Sequence, residues 1–356
     1  ADQQTAISAA VAAEQSARAE LDKVAAATAY VDPATANSGK ESVRVMETLF
    51  DDTFPLGATA RNTSRNPSEW TVSASVPSGK RALRQANSFF HEEILQFQLV
   101  QPILAKGDVI EVWVRPDAYE PPTAIALNFS AGGQRRVWWG KGELPARMSG
   151  GKPSKSMGSL PTPGQWTKLS VRAEELEISA NTPINQLQVE VAGGIVEWDA
   201  LVIDGYRVPA ASPRKSFLAW WKSTVGKDLG DIPADLRAVQ KEGPDKQPAA
   251  DLVQKLQAFY LANVYFPDND ATNERALSLA QSNWLRARAA RATADEAVPV
   301  SMVFKDLDKP NDSFIMIRGQ YDKPGEAVQP RVPSVFPQLA VEGRRPQEGN
   351  VRDADP

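Results

Sequence analysis

The feature that most constrains this chain is a change of hydrophobic period. Across residues 44–208 the apolar positions recur every second residue. Trp70, Val72, Ala74 and Val76 alternate with Thr71, Ser73 and Ser75. Ile110, Val112 and Val114 alternate with Glu111 and Trp113, and Leu187, Val189 and Val191 with Gln188 and Glu190. Similar runs lie at 125–129, 167–171 and 196–203. Turn residues separate them: Pro77-Ser78-Gly79, Lys106-Gly107-Asp108, Gly132-Gly133, Pro163-Gly164 and Gly193-Gly194. Short alternating strands, with no long helix between them, make an antiparallel sandwich of jelly-roll or concanavalin-like type.

The flanks have a helical period. Residues 3–29 are Ala-rich, without Gly or Pro, and place Ile7, Val11, Leu21 and Val24 on a narrow stripe. Residues 213–295 return to helix: Phe217, Trp220, Trp221 and Val225 form one face, and Leu252, Leu256, Phe259 and Tyr260 another. Gly and Pro break the pattern at 226–248. A third run at 271–295 is again narrow, with Arg286, Arg288 and Arg291 placed on a solvated face. Two narrow stripes each suit one partner helix. The expectation is an antiparallel hairpin of the first and last helices, with the sandwich inserted between them. The organisation expected is therefore all-β plus α: a helix in 1–36, a sandwich over 44–208, a helical region over 213–295 and a tail over 296–356. The tail holds eight prolines from 299 onward and reads as extended and loop-dominated.

The census of reactive residues excludes much chemistry. There is no cysteine and one histidine, His91. Thiolate catalysis, disulfides, iron–sulfur clusters, sites with two imidazoles and covalent haem attachment are all ruled out. The net charge of −4 argues against nucleic acid as main partner. No run of about 18 apolar residues is present to span a membrane. The opening ADQQTAISAAVAAEQ lacks the basic and Leu-rich parts of an intact signal peptide. It suits a position after a removed leader, or within an excised segment.

Candidate ligand-binding residues come from the sandwich. Trp113 lies opposite to Ile110, Val112 and Val114 in its strand, so it points away from their core. Trp138 and Trp139 are adjacent, so one is expected in the core and the other exposed. Arg135 and Arg136 precede them and can hydrogen-bond hydroxyls or pair with anions. A polysaccharide stacked on an exposed Trp is one reading. Trp filling the core or a domain interface is the other. Acids bracket the sandwich: Asp51 and Asp52 near its start, Asp199 and Asp204 in its last strand. If the end strands adjoin, Asp51, Asp52 and Asp199 can hold a structural Ca²⁺, although ordinary turn acids would look the same. His91 beside Glu92 and Glu93 has no evident partner and reads as a surface or strand-edge histidine. Glu174, Glu175 and Glu177 are of the right type for glycoside hydrolysis but show no facing carboxylate. The segment SGGKPSKSMG (149–158) resembles a phosphate loop only in composition.

Two stretches resemble a known family. The tail segment 302–337 carries Met302, Arg318, Gly319, Pro324, Gly325, Val328, Pro330, Val332 and Pro333. Their order is similar to a block that opens a C-terminal domain of unknown function in large planctomycete cytochrome c-associated proteins. FDDTFPLGA (50–58), SGKRALRQ (78–85), GDVIEVWV (107–114), RRVWWG (135–140) and VEWDALVIDG (196–205) resemble that family's central β-domain. So do PPTAIALNF (121–129) and SMGSLPTPGQWTKLSV (156–171). The resemblance spans about 44–337 in order. It implies an extracytoplasmic protein, secreted, periplasmic or on the cell surface, with neighbouring cytochrome domains as partners. The family's reaction is unknown, so no catalytic residue carries over. Without a haem-binding Cys, the chain holds no cofactor beyond a possible calcium, and haem belongs to other domains or a partner. The function expected is a non-catalytic binding or scaffold segment that recognises a glycan or polyanion. The alternatives are a purely structural assembly module and a carboxylate-based glycoside hydrolase.

Overall fold

The computed structural model describes residues 2–36, 40–62, 68–72, 75–86, 89–141, 144–149, 153–179, 181–267, 274–296, 313–319 and 323–328. They fall into two units, 1–298 and 299–356. The first unit opens with helix α1 (Asp2–Ala27). Strands follow: β1 (Val43–Phe50), β2 (Ala58–Asn62), β3 (Glu69–Val72), β4 (Arg81–Ala86), β5 (Phe90–Phe97), β6 (Ile103–Leu104), β7 (Val109–Pro116), β8 (Ala124–Ser130) and β9 (Gln134–Gly140). A helical turn, α2 (Ala146–Ser149), leads to β10 (Ser154–Ser156), β11 (Thr167–Arg172), β12 (Thr182–Pro183), β13 (Gln186–Ala192) and β14 (Ile195–Arg207). Helices α3 (Phe217–Thr224), α4 (Ala234–Glu242), α5 (Ala250–Asn263) and α6 (Arg275–Glu296) complete the unit.

The strands form an antiparallel sandwich. Sheet A runs β11-β7-β14-β4-β3, with β1 also paired to β14. Sheet B runs β10-β9-β8-β13-β5-β2, and only its short β9–β10 pair is parallel. Alternation dictates the packing. In β7, Ile110, Val112 and Val114 turn inward to meet Leu127, Val137, Val189 and Trp139 of sheet B. Trp198 is fully buried there; its Nε1 donates to Gln85 Oε1 (2.7 Å), and Gln85 Nε2 donates to the Val189 carbonyl (3.2 Å). This chain of bonds ties the two sheets through the core and leaves the indole satisfied.

One irregularity positions chemistry. β14 pairs with β4 over 195–198 and with β1 over 201–207. Between them its register against β7 shifts at Asp199/Val202, and Ala200 takes a φ of 45°. Such a bulge turns one side chain out of the regular alternation. Here it turns Asp199 towards the end of β1.

The helices have their own core, built from Phe217, Trp220, Trp221, Leu256, Tyr260 and Leu277. α1 and α6 pair in opposite directions. Glu14 of α1 meets Arg291 of α6 (2.9 Å), and Arg18, one turn later, lies over Trp284, two turns earlier. The arginines expected on a solvated face are thus partly used: Arg291 bonds α1, and Arg288 stacks on Trp284. Asp32 docks the segment after α1 by accepting from Ser216 Oγ (2.7 Å) and Leu218 N (2.8 Å) at the start of α3. Leu99 and Val100 join the helical core, and Trp220 Nε1 donates to the Leu99 carbonyl (2.8 Å), so sandwich and helices adhere.

The interval 226–248 is not only a break, because it contains α4. Pro233 sits at the N-cap and Gly243 at the C-cap (φ 84°), so the residues read as breakers are the ends of a short helix. In α1, Leu21 is fully buried. Leu21→Ala should cost about 2–5 kcal/mol by leaving a cavity. Urea unfolding checks this, and a loss below ~1 kcal/mol would mean that the hairpin does little for stability.

In the second unit, β15 (Ser313–Met316) pairs with β16 (Pro324–Val328) as a hairpin. Part of the stretch expected to be loop is therefore strand. Of 299–356 only 313–319 and 323–328 are described, so Met302, Pro330, Val332 and Pro333 lie outside the described residues. Among the described residues no helix is long and apolar enough to cross a membrane.

Candidate functional site

The outer face of sheet B carries an unusual polar stripe. Register places Asn128 beside Arg136 and Gln188, and Trp138 beside Ala126 and thus next along the same face. Glu190 lies opposite Ala126 on the other side. Arg136 Nη2 donates to Glu190 Oε1 (2.9 Å), and Asn128 Nδ2 donates to the same oxygen (3.0 Å) and to Gln188 Oε1. All are buried: Arg136 is 3% exposed and Glu190 0%. Arg136 Nε and Nη1 and Asn128 Oδ1 are buried and have no hydrogen-bond partner among the described residues. Unmet donors and acceptors of this kind cost free energy until something binds them. Trp138 packs with Ala124, Ala126, Ala192 and Met148, and Leu144 and Phe90 adjoin. The stripe is thus a polar site with an aromatic neighbour, overlaid by the α2 region.

Several expected positions differ. Trp138 and Trp139 do face opposite ways, but both are buried: Trp139 in the sandwich core and Trp138 under Met148. Alternation sets the face and not its exposure. Arg135 does not join Arg136, because it lies on the other face in register with Phe129 and donates to the carbonyls of Gln134 (3.0 Å) and Glu177 (3.5 Å). Trp113 sits on the outer face of sheet A, half-buried, with Lys168 Nζ 5.6 Å from its ring centre. Arg115 lies over Trp166 at 5.1 Å in the same way. Each ring has one face already occupied by a cation.

His91 is not a surface residue. It is fully buried and faces inward with Leu95 and Phe97 of the same strand. Its Nε2 shares a hydrogen bond with Ser68 Oγ (3.0 Å) and lies 3.9 Å from Glu93 Oε2. A catalytic triad would need the carboxylate on the other ring nitrogen. Here the carboxylate lies on the Nε2 side, and Nδ1 has no partner among the described residues. Glu174 and Glu175 serve their own turn: Glu174 accepts from Gly107 N (2.7 Å) and Glu175 from Arg172 N (3.0 Å). Residues 150–152 of the Gly- and Lys-rich segment lie outside the described residues, and 154–156 form β10.

The acids separate into three groups. Strand β1 does pair with β14, which brings Asp51 to Asp199. Ser78 joins them, its N–H donating to Asp199 Oδ2 (2.8 Å) and its Oγ to Asp51 Oδ2 (3.0 Å). Asp52 turns the other way and accepts from Lys80 N (2.6 Å) and Arg81 N (2.8 Å). Asp204 pairs with Arg44. Among the described residues no group of three or more His or acidic side chains is placed to hold a metal. The two carboxylates of Asp51 and Asp199 remain. The two carboxyls share a side-chain hydrogen bond with each other, and Asp51 Oδ1 and Asp199 Oδ1 are buried with no donor from elsewhere among the described residues; once both ionise, such a pair attracts a hard cation. Burial pushes Asp199 up to about 7, against the pull of the Ser78 N–H and with help from the Asp51 charge. Burial also raises Asp51.

Sequence reasoning missed Asn128, Gln188 and Glu190. The signal was present in QLQVEVA (186–192), whose alternation puts Gln188 and Glu190 on the face of Trp138.

No family model and no curated protein matches this chain. Solved structures similar to part of it include TmCBM61 in complex with β-1,4-galactotriose, at 15% identity, covering 41% of this chain and 86% of that one (TM-score 0.26). Another is a family 11 carbohydrate-binding module from Clostridium thermocellum with a mixed-linked tetrasaccharide, at 6% identity, covering 44% and 94% (TM-score 0.29). A third is the CBM22-1 xylan-binding domain from Paenibacillus barcinonensis, at 15% identity, covering 45% and 96% (TM-score 0.28).

Proposed function

We propose that this region binds carbohydrate without transforming it, through the outer face of sheet B. The observation that carries this reading is the buried stripe of Asn128, Arg136, Gln188 and Glu190 beside Trp138. A guanidinium bonded to a carboxylate through Nη2, with Nε and Nη1 unpaired among the described residues, can reach adjacent sugar hydroxyls. The apolar face of a sugar ring would lie against Trp138. Binding then requires Met148 and Leu144 to move aside. The Arg136 charge is already balanced by Glu190, which favours a neutral glycan over a polyanion. A glycan array of neutral and sulfated polysaccharides tests this. Binding to neutral glycans is expected, weakened by Trp138→Ala and unchanged by Trp113→Ala. No bound glycan, or equal loss in both variants, would count against this face.

A second reading has its own support. Val43, Met46, Tyr206 and Val208 are exposed on and beside the β1–β14 pair, which suits a scaffold docking neighbouring domains. We further propose an extracytoplasmic, cytochrome-associated setting. The support is the similarity of the 302–337 block and of the sandwich segments to the planctomycete family. We also propose that Asp51 and Asp199 take a structural calcium, which would clamp the first strand to the last.

A further inference from the structure

Tyr119 is 95% exposed, more than any other large apolar or aromatic side chain among the described residues. Its loop is nonetheless fixed. Asp117 Oδ1 accepts from Tyr119 N (2.8 Å) and Glu120 N (2.9 Å). Asp117 N donates to the Ile195 carbonyl (2.9 Å), and Ile195 N returns a bond to Glu120 (2.8 Å). Gly194 lies so close that a Cβ there would meet the Glu120 carbonyl at 2.5 Å. An aromatic ring held out in water on a rigid loop loses little entropy when it binds.

Beside the ring is a depression of about 250 Å³, lined by Arg84, Arg115, Asp117, Gly164 and Glu197. Arg115 is committed to Glu197 and to Ser75 Oγ (3.4 Å). Arg84 is less committed, its nearest carboxylate being Glu69 at 4.0 Å. Asp117 keeps its second oxygen clear of the turn it caps. Its carboxyl is held below the ordinary value by the Glu120 and Tyr119 N–H groups, so it remains an acceptor. The two guanidinium groups and two carboxylates balance. Unlike Trp113 and Trp166, Tyr119 has no cation over its ring among the described residues.

We propose that this depression is a second carbohydrate subsite, separate from the sheet B face. It takes one neutral pyranose residue, stacked on Tyr119, with adjacent hydroxyls on Arg84 and Asp117. The concave, charge-balanced floor suits a small polar ring better than a flat protein surface. The proposal rests on the carbohydrate reading above but uses none of its residues.

The test is calorimetric titration of the full chain with cellohexaose, xylohexaose and mannohexaose. Tyr119→Ala, Arg84→Ala and Arg136→Lys are compared with the wild type, after matching their melting temperatures. Tyr119→Ala and Arg84→Ala should each weaken one binding event about tenfold or more, with Arg136→Lys sparing that event. If only Arg136→Lys weakens binding, the second subsite is wrong and the sheet B reading stands. If only the Tyr119 and Arg84 variants do, the subsite stands and the sheet B reading falls. If no hexasaccharide binds the wild type, both fall.

Discussion

Calcium should raise the melting temperature of this chain by roughly 5 °C or more, and a chelator should reverse the gain. The size follows from a ligand that binds only the folded state, at a concentration well above its dissociation constant. The cause is the Asp51–Ser78–Asp199 cluster, where two buried carboxyls share a hydrogen bond and bring two negative charges together once both ionise. The sign with pH is also fixed. Asp199 is raised from 3.8 to about 7, so between those values the folded state holds a proton that the unfolded state has lost. In chelator, stability should therefore fall as pH rises from about 4 to 7, with the penalty fully present above that. With calcium the fall should shrink, and calcium affinity should grow over the same window as Asp199 ionises. Asp199→Asn removes the charge but keeps an oxygen for the Ser78 N–H. It should match or exceed the wild type in chelator at pH 7.5 and ignore calcium. Identical wild-type melting in calcium and chelator would refute the site.

Breaking the Arg136–Glu190 pair should have a comparably large effect. Both side chains are buried, so removing one leaves the other as an uncompensated charge. Arg136→Ala and Glu190→Ala should each cost about 3–5 kcal/mol in denaturant unfolding. A double variant, Arg136→Met with Glu190→Gln, should cost clearly less than the sum, because no lone charge remains. Arg136→Lys separates binding from folding. It keeps the charge but loses the planar fork, so stability should change little while glycan affinity falls about tenfold. If both single variants cost under ~1 kcal/mol, the pair is solvated and the stripe is ordinary surface.

The architecture was legible because period is a direct trace of geometry. Alternation at 110–114 and 187–191 located strands and their inward faces, and the narrow stripes of the end helices implied their pairing. Exposure was not legible. Alternation says that Trp138 and Trp139 diverge, but what lies over Trp138 comes from residues 144–149, which are distant in pattern though near in space. His91 was misplaced for a different reason. With no nucleophile or metal partner in the sequence it reads as a surface or strand-edge histidine, yet its parity with Leu95 and Phe97 turns it inward. The nearness of Asp51 to Asp199 was readable from strand order. The departure of Asp52 and Asp204 was not, since it depends on which backbone N–H groups and arginine lie nearby.

The antiparallel course of α1 and α6 has one further consequence. The beginning of α1 and the end of α6 lie at the same end of the pair. Everything between them, sandwich and helices together, is a closed excursion that leaves and returns through one gate. With the segment after α6 left out, a short Gly/Ser tether across that gate would join the two helices, and new termini could be cut at the exposed Lys106–Gly107 turn without parting any strand from its sheet.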